Sequence, residues 1–166
     1  AYRYNHLFRD FLLRRGGMTD ERRRFLERKA AAIYRAQGRA EDAIRHLLAA
    51  EDYEEAAALL ATVARDLVYS GRHLTLTAWL EQLPVNLLEA YPELLLARGH
   101  AARFASRYEE ALSWYERARA RFAARHDSAG EVRALRGQAQ VYLDTVQPRL
   151  AEPLLRQALR RSDRRA

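Results

Sequence analysis

The sequence predicts an all-α protein built of antiparallel helix pairs stacked in a right-handed superhelix. Three observations predict it. Alanine and leucine dominate and β-branched residues are scarce, a composition that favours helix throughout. The four prolines, Pro84, Pro92, Pro148 and Pro153, fall where helices should break. One pattern of helix, tight turn and helix recurs, with connections of roughly two to five residues, short enough to pack consecutive helices antiparallel.

Caps and period place each element. Asn5 or His6 starts a short helix with Leu7, Phe8, Phe11 and Leu12 on one face, and Gly16-Gly17 stops it. Thr19 is the N-cap of a helix over residues 20–37, where Asp20 and Glu21 favour the positive end of the helix dipole. Phe25, Leu26, Ala30, Ile33 and Tyr34 form its apolar face, and Gly38 ends it. Helices follow over 41–50, 52–69 (closed by Ser70-Gly71) and 73–83 (closed by Pro84), then a short turn of helix around 85–90. Pro92 suits the first position of a helix running to about residue 105. The last three span 108–125, 128–146 with Ser128 as N-cap, and 149–162.

The self-similarity carries the organisation. Ala31-Ala32-Ile33-Tyr34 leads through Gly38 to Ala43-Ile44, Leu47 and Ala50. Gly99 leads through Arg107-Tyr108-Glu109-Glu110-Ala111-Leu112 to Tyr115 and Ala118. Gly137 leads through Tyr142 to Ala151, Leu155 and Ala158. Helix pairs cross closely only where a small side chain lets the backbones approach, and Ala43, Gly99, Ala111, Gly137 and Ala151 are expected in that role. One pair cannot bury its apolar face alone, so pairs stack. From about Asp20 onward these residues resemble the tetratricopeptide repeat family, without the usual tryptophan early in the first helix.

A second resemblance is co-linear. The opening Tyr2-Arg3-Tyr4-Asn5-His6-Leu7-Phe8-Arg9-Asp10-Phe11-Leu12 is similar to the end of the winged helix in MalT-like transcription regulators of the LuxR family. These are signal-transduction ATPases with numerous domains. Glu21-Arg22-Arg23-Arg24, Ala43-Ile44-Arg45-His46-Leu47-Leu48, Tyr53-Glu54-Glu55-Ala56-Ala57 and Trp79-Leu80-Glu81-Gln82-Leu83-Pro84 follow in that family's order. The resemblance implies residues 1–17 as the C-terminal remnant of a winged helix. Residues 18–166 then form a sensor of about four helix pairs that receives an inducer or partner protein. It implies that ATP or ADP, and DNA, are bound only by domains outside this chain, and it allows self-association through the array. A family histidine that touches the bound diphosphate is replaced by Asn5, followed by His6, which puts nucleotide sensing there in doubt.

Composition excludes several function classes. No stretch approaches the roughly 20 consecutive apolar residues of a membrane span. There is no cysteine, hence no disulfide or thiolate metal site, and a reducing, cytoplasmic setting is the natural inference. A start without Met, in mid-element, reads as an excised fragment. The net charge of +7 is almost all arginine, Lys29 being the only lysine. Nucleic-acid binding rests on that charge alone, because the arginines mostly alternate with Glu or Asp as on a solvated surface.

Chemistry is sparse. The histidines His6, His46, His73, His100 and His126 show no i, i+3 or i, i+4 pair for a metal, and His-Glu-x-x-His is absent. Glu54-Glu55 and Glu109-Glu110 sit at helix starts, where the dipole favours them. No P-loop and no nucleophile elbow occur. The chain is expected to be no enzyme and to hold no cofactor. Binding is the expectation. The first helix of each pair lines the concave face, with Arg35, Arg65, Tyr69, His100, Arg103, Phe104, Gln138 and Tyr142. Arginines and aromatics along one groove suit an acidic peptide or a polar ligand, and the same residues also suit ordinary solvation and packing. Trp79 and Trp114 are read as packing residues. The alternative to a regulator's sensor is a free-standing adaptor binding a peptide segment in the groove.

Overall fold

Thr19 caps the first described helix as its side chain requires: its Oγ1 accepts from the Arg22 amide at 3.2 Å. A computed structural model describes residues 19–163, so the expected opening helix, the winged-helix remnant and the pair Asn5 and His6 lie outside the described residues. Nine helices are described: α1 (Asp20–Ala36), α2 (Ala40–Ala49), α3 (Tyr53–Tyr69), α4 (His73–Leu80), α5 (Val85–Ala90), α6 (Pro92–Phe104), α7 (Tyr108–Ala124), α8 (Ser128–Asp144) and α9 (Pro148–Asp163). No strand occurs among the described residues. The fold is all-α and tetratricopeptide-like.

The turns are near copies of one another. Gly38, Glu51, Gly71, Ser106, His126 and Val146 all take positive φ, between 56° and 72°. After each, the next amide reaches back to the carbonyl five residues earlier: Arg39 to Tyr34, Asp52 to Leu47, Arg72 to Leu67, Arg107 to Ala102, Asp127 to Phe122 and Gln147 to Tyr142, at 2.7–2.9 Å. This closure satisfies carbonyls that the helix end would leave without partners. It needs a left-handed residue, which glycine adopts freely and valine does not.

Three boundaries differ from expectation. α4 stops at Leu80 rather than residue 83, and Arg98 Nη1 caps the Leu80 carbonyl at 3.2 Å. The cap of α8 is Asp127, whose carboxylate accepts from the Gly130 amide at 2.9 Å; Ser128 is the first helical residue. Pro153 does not break a helix but lies inside α9. It forgoes the bond to the Arg149 carbonyl, one turn back, and both residues are exposed, where water can replace it.

The chain divides into two compact units, one ending at Asp52 and one beginning at Tyr53. In the first, α1 and α2 close on Ala31, Ala43, Ile44, Leu47 and Leu48. His46 bridges them: Nδ1 lies 2.5 Å from Glu27 Oε2 and the ring stacks on Tyr34. In the second unit α6, α7 and α8 pack in succession, and α3 packs on α6. Leu60, Leu76, Leu80, Leu94, Leu95, Tyr115, Phe122 and Leu135 are fully buried. Each such leucine or phenylalanine contributes about 1.5–3 kcal/mol.

The expected close crossings are present. Ala43, Gly99, Ala111, Gly137 and Ala151 are all buried. The Tyr115 ring of α7 lies between Gly99 of α6 and Gly137 of α8, where an added methyl would stand 2.6 Å from the ring on either side. Phe122 takes the same place against Gly130.

Candidate functional site

The wedge of Tyr115 sets the phase of α6 and α8, and that phase decides which side chains reach the concave face. A cleft of about 460 Å³ opens there between α3, α6 and α8. Its lining follows helical period. α6 gives Glu93, Leu96, Ala97, His100 and Arg103, and α8 gives Arg133, Arg136, Gly137 and Gln140. α3 adds Arg65, Val68 and Tyr69 among others.

Four guanidinium groups meet one lining carboxylate, Glu93. Arg103 is the most enclosed: it pairs with Asp144 of α8 at 2.6 Å and lies over the Phe104 ring at 4.6 Å. Burial pushes the Asp144 carboxyl up, but hydrogen bonds from Gln140 and Arg103, with the Arg103 charge, outweigh it and hold the group below its ordinary value. Arg133 sits over the Phe122 ring and 3.6 Å from Asp127. Arg65 pairs with the exposed Asp66 at 3.8 Å. Arg136 makes no ion pair or hydrogen bond among the described residues.

His100 stands in the lining with Nδ1 2.9 Å from the Tyr115 hydroxyl. Burial, then the charge of Arg103, lowers its pKa to about 4. Burial pushes the Tyr115 phenol well above its usual range, with Arg103 opposing. The neutral imidazole and the phenol share one hydrogen bond through Nδ1. The site therefore offers charge and hydrogen-bond donors. Among the described residues no group of three or more His, Asp or Glu is placed to hold a metal.

Of the residues expected in the groove, Arg65, Tyr69, His100 and Arg103 line this cleft together. Phe104 does not line it; it stacks on His73 at 4.4 Å beside it. Gln138 is turned the other way: it is buried against α7 and donates from Nε2 to Glu116 at 2.9 Å. Tyr142 lies in a separate groove with Ser106, Tyr108 and Thr145. Arg35 belongs to α1, in the first unit, outside the cleft. Arg133, Arg136 and Gln140 were missed. They share one face of α8 with Gly137, but helical period alone does not say that this face meets the cleft. Trp114 is half-buried, with Arg98 and Arg117 over its ring at 5.1 and 4.2 Å, and its Nε1 donates to Glu110 at 3.0 Å.

No helix among the described residues is long and apolar enough to cross a membrane. Residues 92–164, which span α6 to α9, match the tetratricopeptide repeat family. Tetratricopeptide repeats are protein-interaction modules. The chain is also similar to the serine/threonine-protein kinase PknK of Mycobacterium tuberculosis and of Mycobacterium bovis, at 31% identity over 98% of this chain. It spans 15% of the length of these relatives. No solved structure matches it. The helix order, the repeated turns and the family match agree: the chain has a tetratricopeptide-like helical-repeat fold, the kind of scaffold that mediates protein interaction.

Proposed function

We propose that this chain is the sensing and docking module of a larger signalling protein, and that its cleft takes an acidic segment of a partner protein. The observation that carries the reading is the convergence of Arg65, Arg103, Arg133 and Arg136 on one cleft with a single lining carboxylate. Guanidinium forks engage carboxylates in bidentate fashion. The test is fluorescence anisotropy with a labelled hexapeptide of alternating Asp and Glu. Binding is expected to weaken as salt rises and to fall about tenfold in Arg136→Glu. Binding that ignores both salt and this substitution would sink the reading.

The finer form of the proposal makes the module the sensor region of a MalT-like transcription regulator of the LuxR family, in the cytoplasm. Residues 1–17 then close a winged helix, and ATPase and DNA-binding domains lie outside this chain. The ordered motifs between Glu21 and Pro84 support it. The similarity to proteins named serine/threonine kinases favours a second host, a kinase carrying the same kind of module. The sequence of the native gene separates them: a P-loop before this region and a helix-turn-helix after it support the regulator, and a kinase domain in their place supports the second.

A further inference from the structure

Asp144 is the last residue of α8, where an acid adds to the negative end of the helix dipole. Local preference does not favour it there, and its partners explain its place. Both carboxylate oxygens are taken by residues that line the cleft: Oδ2 accepts from Arg103 Nη1 at 2.6 Å, and Oδ1 accepts from Gln140 Nε2 at 2.8 Å. Asp144 is not itself in the lining. Arg103 meets it through a single Nη1 bond, and Arg103 Nε is buried without an acceptor among the described residues. The other arginines of the cleft are held less closely. Arg133 stands 3.6 Å from Asp127, Arg65 stands 3.8 Å from Asp66, and Arg136 makes no ion pair or hydrogen bond among the described residues. The Arg103 side chain is 18% exposed and that of Arg65 70%. One of the four guanidinium groups is thus enclosed and already neutralised at contact distance.

We propose that Asp144 is an internal competitor of the acidic segment: it occupies the Arg103 guanidinium that a ligand carboxylate would otherwise take, and so limits the affinity of the cleft. The proposal rests on the acidic-segment reading. Asp144 acts twice. Its charge repels an incoming anion, and its bond uses a charge-assisted donor of the lining. The segment then binds through Arg65, Arg133 and Arg136, with Arg103 as a positioning residue that keeps Asp144 and Gln140 in place. Repulsion of this kind raises specificity, because segments with few acids no longer bind.

The experiment measures anisotropy of the labelled Asp/Glu hexapeptide with the full chain, with Asp144→Asn, with Arg103→Met, and with the double variant. Arg103→Met keeps an apolar stem over Phe104 and removes the donors. Asp144→Asn should tighten binding about tenfold, as charge removal and a released guanidinium act together. The same change made in Arg103→Met should gain only about twofold, since the charge effect alone is left. Asp144→Ser should follow Asp144→Asn, so that loss of the fold in one variant does not remove the test, and a gain of affinity cannot come from an unfolded chain. No gain in either variant, or the same gain with and without Arg103, overturns the competitor. Binding by the wild type with no such gain leaves the acidic-segment reading standing. If neither the wild type nor any variant binds the hexapeptide, that reading fails and the proposal falls with it.

Discussion

The Tyr115 hydroxyl lies 2.9 Å from His100 Nδ1, and the ring that carries it is wedged between the backbones of Gly99 and Gly137. One side chain thus sets the spacing of three helices and orients the only histidine of the cleft. Packing and recognition meet in this pair.

The pH dependence of stability follows from His100. Its pKa falls from 6.5 to about 4 on folding, so between those values the unfolded chain binds more protons. Stability from this group is full above pH 6.5 and is lost as pH falls toward 4, by about 3 kcal/mol at most. Glu89, held low by Arg117 and Arg121, and Glu116, held low by Arg119, lose stability in the same direction. The His100 share is therefore read as a difference. Urea unfolding at pH 4.5 and 7 should show a smaller loss in His100→Gln than in the wild type, and equal losses would refute the assignment.

The two glycines against Tyr115 should behave against helix propensity. Alanine in a helix interior gains about 1 kcal/mol over glycine. Here the new methyl meets the buried ring, and Gly99→Ala and Gly137→Ala should each destabilise by about 1–3 kcal/mol net. Combining Gly137→Ala with Tyr115→Leu should cost less than the two alone, because the clash is shared. Additive losses in chemical denaturation would show that the ring and the glycine are not coupled.

Val146 offers the opposite case. It is β-branched, 85% exposed and held at φ 59°. Val146→Gly removes the strain without removing packing, and should raise stability by about 1 kcal/mol. Gly71→Ala, at φ 72°, should lower it by a similar amount. A thermal melt that shows Val146→Gly neutral or harmful would mean the turn is not strained.

Arg161 of α9 reaches Glu131 of α8 at 2.6 Å, and Glu131 is buried. Arg161→Ala leaves a buried carboxylate without its partner and should cost about 1–2 kcal/mol, less than a fully enclosed pair because Arg161 is itself partly exposed. Arg161→Ala with Glu131→Gln should recover part of the loss. No recovery would place the cost in lost packing of the arginine stem.

Helix limits were legible because caps and stops are local chemistry: Thr19, Gly38, Gly71 and Pro92 act on their own turns. Asp127 and Ser128 are both good caps, and only backbone geometry separates neighbours of equal merit. The small crossing residues were legible too, since size is written in the sequence. Part of the groove was not. Gln138 and Arg136 lie on the same helix, two positions apart, and period alone does not say which face meets α7. That choice is made by the Tyr115 ring, which seats against Gly137 and turns Gln138 inward toward Glu116 while Arg136 and Gln140 face the cleft. A constraint imposed by a residue on another helix has no local signature.

The six matching turns bear on how such an array changes length. Each closes through a bond confined to its own neighbourhood, so a duplicated helix pair arrives with its joint already made. Loss of one pair likewise leaves the remaining joints intact. Ancestry can then lengthen or shorten the array in whole units, and the cleft with it, while the residues that tell partners apart drift independently of the residues that turn the chain.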